Sequence, residues 1–277
     1  MSRGTSTGAD DVLCLNSQHD TLTSRAGTAV EIEPGILLQP LYATDYTRYR
    51  FRPRNEERII FPYRVSDDSY AALSEDELAT LYPKAYKYLA DNRKALEKRK
   101  QFKNWFGYSA PRGLHLHVNA DILVPLLADR GLFAPTPTTS SGYCMMASAG
   151  FSISLEDSSL TPYVLGVLNS KLSFWKLQQI SNKFRGGWIT CTKQYFGVLP
   201  IKEIGKEGSA VRNVQNQITE LAEGLVSTNE QLATARIAQD KKFLERQIKA
   251  TDRQIDQLVY KLYDLTPKEI ALAEHDM

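Results

Sequence analysis

The chain has 277 residues and is 42% hydrophobic, which suits one large domain, or a domain with an appendage, and excludes a string of small modules. Its 34 Lys+Arg against 32 Asp+Glu leave a net charge of only +2, so the mean charge marks no nucleic-acid binder and any electrostatic footprint rests on clustering. Cys14, Cys144 and Cys191 are too few and too far apart for a disulfide framework or a zinc site, no apolar run reaches bilayer length, and the polar start MSRGTSTGADD lacks the apolar middle of a secretory signal. These features predict a cytoplasmic protein with buried thiols and no membrane partner.

The first third reads as short extended segments between turns: DVLCLN, EIEPGILLQPLY and ERIIFPYR, with prolines that confine some of them to sheet edges or loops. At Ser74 the pattern turns helical. Ser74 and Glu77 form a capping box, and Pro83 opens a long second helix whose apolar positions include Ala85, Leu89 and Leu96. Lys84 to Lys103 holds eight Lys/Arg against Asp91 and Glu97, either a solvated helix face or a phosphate-facing stripe that includes Lys100. NWFGYSAPRGL follows, with Trp105, Tyr108 and Arg112 as residue types for stacking and planar donation.

Ala120 to Leu132 is an apolar cluster, APTPTTSSGY is a loop, and YCMMAS and FSISLE read as strands. Thr161-Pro162 opens a helix buried along much of its length, with Val164, Leu165, Val167, Leu168, Leu172, Trp175 and Leu177 as its apolar set. Next comes NKFRGGWITCTKQYFGVLPI, which mixes cations, glycines, hydroxyls, a glutamine and aromatics. From Gly208, Val211, Ile218, Leu225 and Leu232 repeat every seven residues, as do Ile248, Ile255 and Leu262, with Leu221 and Leu258 as second apolar positions. The sixteen-residue step from Leu232 to Ile248 is not a whole number of heptads and implies either a phase shift or a bend into an antiparallel pair; a single rod would leave its apolar stripe without a partner, so we expect the bend. Thr266-Pro267 starts a last short helix. The fold class expected is α+β: an irregular mixed-sheet domain with buried helices over 1–204, then a long helical pair over 205–277.

Catalytic motifs are missing from the chain. There is no GxGxxG after a strand, no GxxxxGK[ST], no HExxH and no GxSxG. His115 and His117 fit one side of a strand but lack a clear third metal ligand.

Several stretches occur together in one order: RGTSTGADDVLCL, GILLQPLYATDYTRYRF with ERIIFPYR, YPKAYKYLADNRKALEKR with WFGY, YVLGVLNSKLSFWKLQQIS with FRGGWITCTKQYFGVLPI, and the tail IDQLVYKLYDLTPKEI. Together they resemble the C-terminal specificity region of adenine-N6 DNA methyltransferases of type II restriction-modification systems, including fused restriction-methylation enzymes. The resemblance covers almost the whole chain, and LNSKL with RGG and TKQ-x5-PI is its most specific combination. It implies a target recognition domain that grips double-stranded DNA beside a methyltransferase domain or subunit. The family's activity, site-specific adenine methylation, belongs to that partner, as does its cofactor S-adenosylmethionine; no catalytic residue and no cofactor is assigned to this chain. Nothing here supplies the Asn-Pro-Pro-Tyr type loop, so the resemblance implies a natural split subunit or the inert C-terminal fragment of a longer enzyme. A helical interaction adaptor is the third reading.

On the DNA reading, Lys183, Arg185 and Lys193 hold phosphates, and Gly186 and Gly187 let the backbone approach the duplex. Thr192 stands among the same donors. Gln194 suits adenine, and Arg112 or Arg185 suits guanine. Trp188, Tyr195 and Phe196 are expected in the core and Leu199-Pro200-Ile201 as a packed exit, while Tyr143 to Ser148 and ATDYTRYRFRPR are further candidates for DNA contact.

Overall fold

The structure, a computed structural model, describes all residues except 20, 53–55, 119, 138–141, 204–207 and 276–277, together with all their side chains but those of 118 and 275. Pro53 and Arg54 of ATDYTRYRFRPR, part of the APTPTTSSGY loop and the expected boundary at 204/205 lie outside the described residues. The chain is α+β, and by contact it divides into two compact units. One comprises 1–45, 52–120 and 137–152, and the other 46–51, 121–136 and 153–277.

The first unit is built on a six-stranded mixed sheet. In spatial order its strands are Tyr143–Met145, Leu37–Leu41, Glu57–Ile60, Cys14–Gln18, Thr21–Thr23 and Ala29–Val30, and the first pair is parallel while the others are antiparallel. Pro40 predicts an edge or loop position, yet its strand is internal. The register explains why. Glu57–Ile60 pairs only with Leu37 and Leu38, so at Pro40 no ladder bond on that side is lost.

Helices α1 (Asp10–Leu13), α2 (Glu75–Leu81), α3 (Pro83–Asp91), α4 (Arg93–Leu96) and α5 (Leu114–Val118) belong to this unit. Ser74 caps α2 through the full capping box and Pro83 is the first residue of α3, as the sequence predicts. The long basic helix is shorter than expected: Asn92 leaves helical geometry at φ −99°, ψ 7° and separates α3 from α4. Leu13, Cys14, Leu15, Ile59, Leu78, Ala85, Leu89, Leu96, Trp105, Phe106, Tyr108 and Cys144 form one buried cluster. Burying such side chains contributes about 1.5–3 kcal/mol each. Trp105 and Tyr108 are therefore core residues, not exposed stacking surfaces.

In the second unit, α6 (Thr161–Asn169) and α7 (Lys171–Ile180) replace the single buried helix expected. Ser170 breaks it, turning extended at φ −62°, ψ 155°, and its hydroxyl accepts the Ser173 N–H to start α7. After the short α8 (Lys193–Phe196) come α9 (Ser209–Thr234), α10 (Ala238–Leu262) and α11 (Pro267–His275). The heptad phase break is a bend: Ala235 and Ile237 are extended, and α10 packs back on α9. Ile218, Leu225, Ile255 and Leu262 are buried in this pair. α6 packs on α9 at Gly166, where a Cβ would come within 2.8 Å of Ile218 Cγ2, so the contact needs a residue with no side chain.

Candidate nucleic-acid interface

α7 ends at Ser181, whose N–H donates to the Leu177 carbonyl at 2.8 Å. The chain then leaves the core as a short hairpin. Thr190 N–H donates to the Asn182 carbonyl at 3.1 Å, Phe184 N–H donates to the Trp188 carbonyl at 2.7 Å, and Lys183 bridges Ile189. Gly186 (φ 75°) and Gly187 (φ 78°) make the turn, in the left-handed region that side chains other than glycine resist.

The base of the hairpin is clamped. Ile189–Thr190 pairs antiparallel with Leu127–Ala128, Cys191 N–H donates to the Leu126 carbonyl at 2.9 Å, and Ile189 and Cys191 are fully buried. Burial pushes the Cys191 thiol up to about 12, which keeps it protonated and unreactive.

The tip is open. Lys183, Phe184, Arg185, Gly186, Gly187, Trp188, Lys193 and Gln194 are all exposed. A Cβ built on Gly187 would meet nothing within 4 Å, so its backbone is accessible to a large ligand. Lys183, Arg185 and Lys193 make no ion pair among the described residues. The sequence explains part of this: from Ser158 to Lys202 there are six Lys/Arg and no Asp or Glu. That acid-free run is a signal in the sequence itself, less conspicuous than the denser tract at 84–103.

Trp188 does not pack in the core as expected. It is 39% exposed, and Phe184, to which the sequence assigns no role, is 53% exposed. Thr192 is half-buried and its hydroxyl is shielded from solvent without a hydrogen-bond partner, so it is not presented with the other donors. Tyr195 and Phe196 are half-buried, the latter edge-on to Phe133 at 5.3 Å. Of the exit, Pro200 is exposed while Leu199 and Ile201 are half-buried.

Lys100 and Arg112 belong to the first unit and are exposed. His117 holds the Arg112 segment: its Nε2 donates to the Arg112 carbonyl at 3.0 Å and its Nδ1 meets Ser152 Oγ at 3.0 Å. Burial lowers the His117 pKa, so the ring stays neutral. His115 and His117 lie in the short helix α5 rather than on a strand. Nearby, Tyr63, Tyr70, Phe102, Lys103, Asn104 and Tyr108 are among the residues lining a cavity of about 660 Å³.

Three of the eight cations of the basic tract are engaged by other groups. Lys84 pairs with Glu31 at 2.8 Å, and Arg93 pairs with Glu97 at 2.8 Å and stacks on Trp105. Arg99 donates to four carbonyls, those of Thr7, Leu96, Trp105 and Gly107. Two further candidate stretches turn inward in part. Arg48, in ATDYTRYRFRPR, donates from Nε to Asp252 at 3.0 Å, and Cys144, Met145 and Met146 are buried.

Among the described residues, no cluster of three or more His, Cys, Asp or Glu is placed to hold a metal ion, and no helix is long and apolar enough to cross a membrane. The chain matches no family model and no curated protein sequence.

Proposed function

We propose that the chain is a DNA target-recognition module that directs adenine-N6 methylation, performed by a partner methyltransferase domain or subunit carrying S-adenosylmethionine, to a particular duplex sequence. The observation that carries the reading is the exposed 182–190 hairpin with Lys183 and Arg185, followed by the exposed Lys193, their charges unneutralised by any acid among the described residues. Cations held outward on a rigid base suit phosphates, and each phosphate neutralised adds a salt-sensitive increment of affinity. Gly186 and Gly187 allow close backbone approach, while Gln194 and Arg185 supply the planar donors that read base edges. The resemblance in LNSKL, RGG and TKQ-x5-PI supports the methylation context.

Gel shifts on duplex DNA across a salt series test this. The chain should bind in the micromolar range or weaker at physiological salt and lose affinity steeply as salt rises. Affinity for duplex that is absent at low salt sinks the proposal. Purified alone, the chain should transfer no methyl group from S-adenosylmethionine.

A second reading, a helical adaptor, is favoured by one feature. Leu221 and Leu258, with Gln217, Gln254 and Gln257, line an open groove of about 530 Å³ between α9 and α10. On that reading the hairpin cations are dispensable and Leu221→Glu abolishes partner binding.

A further inference from the structure

Building on the DNA-recognition reading, we infer that Phe184 and Trp188 are base-stacking residues: the hairpin tip places two aromatic rings against bases of the duplex while Lys183 and Arg185 hold the adjoining phosphates. Of the three tryptophans, Trp105 is 6% exposed and Trp175 is half-buried, whereas Trp188 stands out at the turn. An exposed Phe and Trp at paired backbone positions of a hairpin leave apolar surface in water without returning core packing. Their placement is fixed by the hydrogen bond from Phe184 N–H to the Trp188 carbonyl, so both rings leave the same turn. A Cβ at Gly186 would lie 3.6 Å from Trp188 Cδ1, so the indole stands beside the turn.

The surroundings select the partner. Apolar rings flanked by Lys183 and Arg185, in a segment with no acid from Ser158 to Lys202, complement a polyanion that also offers flat π faces. An apolar protein surface leaves those cations without counter-charge. An anionic lipid surface matches the charge but gives the exposed amide of Gln194 and the guanidinium of Arg185 no base edge to read. Duplex DNA answers all three features, through a base step that the rings unstack or an unpaired base that they cover.

The test uses the full chain with Phe184→Ala, Trp188→Ala, the double variant and Trp188→Phe, each confirmed as folded by its thermal unfolding midpoint. Affinity is measured for an intact duplex and for the same duplex with one abasic site, over a salt series. Stacking predicts that wild type prefers the abasic duplex several-fold. The double variant should lose that preference and about tenfold or more in affinity, with the salt slope unchanged. Trp188→Phe should retain most of the binding. A double variant with wild-type affinity and preference overturns the inference, as does a loss seen only in the salt slope. Tip-dependent binding to phosphatidylserine vesicles with no tip dependence on DNA also overturns it. Wild type that binds no duplex at low salt defeats the recognition reading itself, a result distinct from any of these.

Discussion

The chain has two basic stretches, 84–103 and 158–202, and they differ in the acids that accompany them. The first is the denser, and three of its eight cations are engaged: Glu31 takes Lys84, Glu97 takes Arg93, and Arg99 is turned inward onto carbonyls. The second has fewer cations and no acid, and among the described residues the fold pairs none with its hairpin cations. Its Lys171 and Lys202 do find acids at a distance in sequence, Glu274 and Asp264, but Lys183, Arg185 and Lys193 find none among the described residues. A cation count thus says little about where a polyanion binds. What matters is whether neighbours have already neutralised the charge.

The sharpest way to break this contrast is Arg99→Ala. Four carbonyls would lose a charged donor, and the Phe102 ring would lose the guanidinium lying over it at 5.3 Å. Hydrogen bonds to charged groups contribute about 1.5–3 kcal/mol each, so a drop of roughly 3 kcal/mol or more is expected in urea unfolding. An unchanged midpoint would show that Arg99 is not structural. Removing the hairpin cations should do the reverse. Lys183→Ala, Arg185→Ala and Lys193→Ala together should shift stability by no more than about 0.5 kcal/mol, as exposed unpaired side chains do. They should flatten the slope of log affinity for duplex against log salt by about 0.9 for each phosphate no longer neutralised. A slope identical to wild type would remove these residues from the interface.

A smaller effect concerns a carboxylate that the fold brings to the acid-free segment. Asp256 Oδ1 accepts the Lys171 N–H at 2.8 Å, Asp256 is 4% exposed, and burial pushes its carboxyl up to about 6 against the partial opposition of that bond. The folded protein therefore holds a proton there that the unfolded chain releases near pH 4. Stability should fall as pH rises from about 4 to about 6, by no more than roughly 2–3 kcal/mol from this group, and stay level above. Asp256→Asn keeps the acceptor and removes the charge, so its unfolding free energy should lack this decline. A decline of equal size in the variant would assign it to other groups, among them Asp252, which burial also raises.

Much of the fold was legible because it follows from local rules. The Ser74 capping box, the helix starts at Pro83 and Pro162, and the break in heptad phase where the helical pair bends each depend on residues within a few turns of one another. The errors needed distant partners. Trp105 and Tyr108 are buried by strands and helices that come from elsewhere in the chain, and Arg48 meets an aspartate 204 residues away. At the candidate site the turn glycines and cations were readable. The outward positions of Phe184 and Trp188 were not, because burial of an aromatic depends on the surface it meets rather than on its neighbours in sequence.

The smallest effect is expected from Lys94→Ala with Lys98→Ala. Both side chains are exposed, neither makes an ion pair among the described residues, and both lie in the denser basic tract. If the tract were the phosphate-facing stripe that its composition permits, removing two cations would flatten the salt slope by nearly as much per residue as the hairpin substitutions. If it is a solvated face, stability should move by less than about 0.5 kcal/mol and duplex affinity by less than about threefold at low salt, through long-range attraction alone. The same salt series reads both variants. Equal flattening from 94/98 and from 183/185 would put both stretches on the DNA and end the contrast, whereas flattening confined to the hairpin assigns phosphate binding to the sparser, acid-free segment.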